Sequence, residues 1–115
     1  MRWVPTGVVL LTTLLGASCD RNTSTISVVN WSGESVARVV VVLCGQKVEM
    51  ANLEMSEAAQ ATYRITCEGH YSIDVEFQSG RRLQKEVGYV TSGFDFHHRL
   101  HVTASDVELS VVSVD

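Results

Sequence analysis

The sequence predicts an all-β fold, a small antiparallel β-sandwich of about seven to eight strands. Three observations carry that prediction. Val39-Val40-Val41-Val42-Leu43 is a short, β-branched apolar run, and branching at Cβ suits a pleated strand better than a helix. Tyr71, Ile73, Val75 and Phe77 alternate with Ser72, Asp74 and Glu76, the period of two of a strand with one dry and one wet face. Turn-forming residues recur between such segments at near-regular spacing.

The elements follow in chain order. Residues 25–31 place Ile26 and Val28 on one face, and Ser32-Gly33-Glu34-Ser35 reads as a turn. Residues 36–43 read as a strand buried on both faces, because the run is apolar without alternation. Gly45-Gln46 provides a tight connection into residues 47–53, where Val48 and Met50 share a face. Residues 54–61 have helix-forming composition, with Ser56 as a cap. Eight residues are marginal for an isolated helix, so the segment reads as a loop or a single helical turn. Residues 62–67 then form a strand that aligns Tyr63 and Ile65. The alternating strand at 71–77 leads through a Ser79-Gly80 hairpin turn into 82–90, where Leu83, Val87 and Tyr89 are the apolar contributors. Thr91-Ser92-Gly93 breaks the chain before a strand at 96–103. Ala104-Ser105-Asp106 turns it into a last strand carrying Val107, Leu109 and Val111.

At the N-terminus, Met1-Arg2 is weakly basic, residues 8–15 are apolar apart from two threonines, and Gly16-Ala17-Ser18 are small. These are the three regions of a secretory signal. The apolar stretch is shorter than the roughly 20 residues a membrane-spanning helix needs. Ala17-Ser18-Cys19 resembles the end of a bacterial lipobox, with the leucine at Leu15 and Gly16 between it and the small pair. The resemblance implies cleavage after residue 18, lipid on Cys19, and anchoring in the bacterial cell envelope on the periplasmic side. Asp20 resembles an inner-membrane retention signal. Residues 19–24 then form a lipidated tether and 25–115 a single domain.

Three cysteines fit this arrangement. With Cys19 taken by lipid, Cys44 and Cys67 remain, and an exported chain meets an oxidising compartment where such a pair joins. The closed loop holds about 24 residues, worth about 3 kcal/mol in the chain-entropy treatment. The strand count resembles immunoglobulin-like or related sandwiches, with a small barrel as the alternative. The tryptophan that antibody-type domains place between their cysteines is missing, since Trp31 precedes Cys44. The sequence therefore supports that architecture and not that family.

The chain has nine Lys and Arg against thirteen Asp and Glu, a net charge of −4; loss of Arg2 with the signal makes the mature domain more acidic. No basic stripe exists for phosphate contacts, which excludes nucleic acid. Acidity also argues against electrostatic adhesion to anionic lipid, so the membrane partner is reached through the N-terminal lipid. Asn22-Thr23-Ser24 and Asn30-Trp31-Ser32 match the glycosylation acceptor pattern, which matters only in a eukaryotic secreted chain.

No nucleophile elbow, zinc-protease helix or phosphate loop is present, and nothing calls for a cofactor. Asp74 and Glu76 share a face, but alternation alone produces that. His97, His98 and His101, with His70 from elsewhere, are the only metal-like cluster. In a strand His97 and His101 lie roughly 13 Å apart, too far to share an ion bound at about 2 Å. Exposed polar histidines on an edge strand are the simpler expectation. Trp31, Tyr89, Phe94 and Phe96 are candidate partner-binding aromatics, because rigid sandwiches present their loops for recognition. The expected function is a non-enzymatic protein-binding or accessory module of the envelope, such as an immunity-type inhibitor or an assembly subunit. The alternative is a periplasmic metal-binding protein using the histidine cluster.

Overall fold

The computed structural model describes residues 23–115. The segment read as a secretory signal, with Cys19, Asp20 and Asn22, lies outside the described residues. Eight strands follow one another: β1 Ser24–Asn30, β2 Val36–Leu43, β3 Gln46–Leu53, β4 Ala58–Tyr63, β5 Gly69–Phe77, β6 Arg82–Val90, β7 Phe96–Val102 and β8 Val107–Val114. They form two four-stranded sheets, ordered β4-β1-β7-β8 and β3-β2-β5-β6. The all-β sandwich expected from the sequence is the fold observed.

Alternation decides which residues enter the space between the sheets. Ile26 and Val28 enter from β1, Val39, Val41 and Leu43 from β2, Ile73, Val75 and Phe77 from β5, and Leu100 and Val102 from β7. Burying a residue of this kind is worth about 1.5–3 kcal/mol relative to leaving it in water. Only two layers exist, so each sheet keeps one face toward solvent. This corrects the expectation that β2 is buried on both faces: Val40 is partly exposed and Val42 is 37% exposed.

Two pairings depart from expectation. All neighbours are antiparallel except β1 and β7, which run parallel with Thr25 opposite His97 and Asn30 opposite Val102. Parallel neighbours need a long connection between them, and here β2 through β6 supply it. Residues 54–61 are the second departure. Ser56 has φ +71°, outside the helical region, and its N–H donates to the Asn30 carbonyl at 2.8 Å. The strand then starts at Ala58, pairs antiparallel with β1 and ends at Tyr63. Pairing and the inward positions of Ala59, Ala61 and Tyr63 outweigh alanine's helix propensity.

Cys44 and Cys67 form a disulfide with 5.6 Å between their Cα atoms. Cys44 and Gly45, both at positive φ, are the central residues of the β2–β3 hairpin, the backbone form that matches strand twist in a two-residue turn. Cys67 lies in the segment crossing from β4 to β5, so the bond ties a hairpin tip in one sheet to the crossover from the other. Lys85 occupies an inward position on edge strand β6 and reaches Asp106, before β8, at 2.8 Å. Inward charges of this kind protect sheet edges.

Candidate functional site

The outer face of the β4-β1-β7-β8 sheet carries the most distinctive surface. Register across its strands sets the side chains in rows. One row reads Gln60, Ser27, Arg99, Ser110; the next reads Ala58, Val29, His101, Glu108. Ser27, Val29 and Ala58 are small, and they leave an open groove of about 420 Å³ over β1. Trp31 closes one end. It is 60% exposed, yet its ring stacks on His101 at 4.5 Å between centroids and 24° between planes.

Asn30, directly before this tryptophan, fixes its backbone. It is fully buried. Its amide group donates to the carbonyls of Glu34 at 2.8 Å and Leu53 at 3.0 Å. Its oxygen accepts from the N–H of Ser32 at 3.0 Å and from the Ser32 hydroxyl at 2.6 Å. The Trp31 N–H in turn donates to the Val102 carbonyl at 2.8 Å. An exposed aromatic ring is thus held on a root of satisfied buried hydrogen bonds. The same burial leaves Asn30 no free amide for a glycan in the folded chain.

The ion pairs set Arg99 apart. Arg38 meets Glu76 at 3.1 Å and Glu49 at 3.7 Å, Arg81 meets Glu34 at 2.7 Å, and Arg82 pairs with Asp74. Arg99 has no acidic partner within ion-pair distance among the described residues; Glu108 stands one row away across the β7–β8 ladder. A second open groove of about 480 Å³ lies on the other sheet, where Val40 and Val42 are flanked by Asp74, Gln84 and Glu86. There the acid is already matched: Arg82 and Gln84 both donate to Asp74, and the Arg82 guanidinium holds its carboxyl below the usual range. Asp74 and Glu76 thus each face an arginine, Arg82 and Arg38 respectively.

The other candidate aromatics lie elsewhere. Phe96 opens β7 while Trp31 lies beyond its far end, about 20 Å away at the rise of a strand. Exposed Phe94 packs edge-on to Phe96. Exposed Tyr89, on the other sheet, donates a hydrogen bond to Glu68 at 2.9 Å and packs against His70. The four do not make one patch.

The histidines are also distributed. His97 lies 2.8 Å from the Thr25 hydroxyl through Nδ1 and 3.2 Å from Asp115 through Nε2. His101 lies under Trp31. His98 points the other way and is 3% exposed, stacked on Phe96 at 5.4 Å. This corrects the edge-strand expectation: β7 is internal, between β1 and β8, and the inward position of His98 follows from the same alternation that buries Leu100. Among the described residues, no group of three or more His, Cys, Asp or Glu is placed to hold a metal ion.

His98 belongs to a buried polar chain that spans both sheets. Its Nδ1 is 2.7 Å from the Tyr71 hydroxyl, which is also hydrogen-bonded to the Tyr63 hydroxyl. Burial lowers the His98 pKa, assisted by the charge of His97. Burial raises those of both tyrosines. Nothing in the sequence signals this hydrogen-bonded chain beyond the inward parity of its three members.

The chain matches no protein-family model and no curated protein. It is similar in fold to an NMR structure of a protein from Eubacterium rectale, with a TM-score of 0.59 and 15% sequence identity, covering 81% of this chain and 91% of that one. At that identity the likeness concerns the sandwich alone.

Proposed function

We propose that this chain is an envelope-tethered, non-catalytic recognition module that meets a protein partner on the outer face of its β4-β1-β7-β8 sheet. The observation that carries the reading is Trp31. A tryptophan costs little conformational entropy to hold still and offers a large contact area. This one is exposed, stacked on His101 and rooted by Asn30. The tether rests on the lipobox resemblance at Cys19, which is what would bring an acidic domain to a membrane.

Two measurements test the proposal. A photo-crosslinking amino acid in place of Ser110, exposed on this face opposite Arg99, should capture one envelope protein in cells with Trp31 intact, while the same group at exposed Lys47 on the other sheet should not. Equal labelling from both positions rejects the face. Cys19→Ser should move the protein from the membrane fraction to the soluble fraction, and continued membrane association rejects the anchor.

A further inference from the structure

The chemistry of the partner can be read from the two rows of this face; the inference rests on the recognition reading above. One row is polar and carries an unmatched cation, Arg99, between Ser27 and Ser110. The adjacent row is apolar at Ala58 and Val29, passes under the ring of Trp31 at His101 and ends at Glu108. Residues two apart on β7 separate the rows by about 6.6 Å.

An extended peptide has the same repeat: its side chains at i and i+2 point one way, about 6.6 Å apart. We infer that the groove over β1 takes an extended acidic segment of the partner, with a carboxylate at i against Arg99 and a flat apolar side chain at i+2 against Trp31. Charge complementarity supports this occupant. The chain has more acids than bases, and Arg38, Arg81 and Arg82 all hold carboxylates, yet none reaches Arg99. A guanidinium presents a planar fork that matches a carboxylate with two parallel hydrogen bonds. Gln60 and Ser27 beside it offer uncharged donors and acceptors for the peptide backbone, and their small or flexible side chains leave room for it.

The test uses the full chain in mild detergent with its disulfide intact. The probe is a fluorescein-labelled, blocked five-residue peptide with aspartate second, phenylalanine fourth, and glycine or serine elsewhere. Saturable binding is expected at or below about 1 mM by anisotropy. Arg99→Gln and Trp31→Ala should each weaken it at least tenfold, and a peptide with asparagine for aspartate should lose as much. Lys47→Gln should leave it unchanged. Both altered side chains are on the surface, and thermal unfolding of each variant checks that the fold is kept. Absence of binding, or equal binding by the asparagine peptide, overturns the inference. So does concentration-dependent self-association abolished by Trp31→Ala, which would make a second copy the occupant. If cross-linking from position 110 succeeds while the peptide fails, the acidic-segment inference falls and the recognition face stands. If cross-linking fails as well, both fall.

Discussion

Single buried polar residues govern how this sandwich responds to its surroundings. His98 is the clearest. Burial lowers its pKa below the ordinary value of 6.5, so below that pH the unfolded chain binds a proton that the folded chain resists. Stability from this group is therefore complete above about pH 6.5 and is lost as pH falls toward the folded value. Urea midpoints measured between about pH 7.5 and 5 should fall with pH, and His98→Leu should flatten that slope. A slope unchanged by the substitution would assign it to other groups. Asn30 acts by the opposite means, complete satisfaction: four side-chain hydrogen bonds join its amide to three residues. Asn30→Ala removes the buried bond to the Leu53 carbonyl and the three that tie the Ser32–Glu34 turn, and should cost about 3 kcal/mol in chemical denaturation. Neither role was legible in the sequence. Parity of two places His98 inside, but the hydroxyl it meets is that of Tyr71 on β5, and no local pattern announces a contact 27 residues away.

At the scale of elements, alternation was readable where one face is dry. Strand β5 is the plain case, since Tyr71, Ile73, Val75 and Phe77 are all buried and their alternates are not. It failed where composition and pairing disagree. The alanines of β4 suit a helix, yet the free edge of β1 offers a ladder, and the ladder prevails. Edge strand β6 shows a constraint that sequence cannot display. Gly88 has φ +77°, and a Cβ there would lie 2.5 Å from Leu109 Cδ2 and 3.3 Å from the Tyr71 ring. Gly88→Ala should cost about 1–3 kcal/mol from backbone conformation alone, read as a lower thermal midpoint. Leu109→Ala in the same background would relieve the contact and leave the backbone cost, so a full rescue would show that φ is not limiting.

At the scale of the molecule, the sandwich was legible because apolar alternation counts strands, and the cysteine pairing because an odd cysteine near the N-terminus leaves two. Sheet order was not. The parallel pairing of β1 with β7 joins residues 72 apart, a choice made by the packing of the two completed layers. The disulfide closes a separation of 23 residues and holds the β2–β3 hairpin to the crossover. Its reduction should lower stability by about 3 kcal/mol, checked by denaturation with and without reductant; no change would mean that the crossover is fixed by its hydrogen bonds. The face proposed for recognition draws on both levels. Trp31 and Arg99 are visible as residue types, but only the β1–β7 register makes them neighbours.

That register has a mechanical consequence. The first strand of the domain lies in the interior of its sheet, with six residue pairs to β4 on one side and six to β7 on the other. Tension applied through the N-terminus along β1 must shear both ladders together and cannot peel one bond at a time. A domain dragged by its leading end would yield at a higher force than one pulled from β8, which is held on a single side. Force spectroscopy from the two ends would measure that asymmetry.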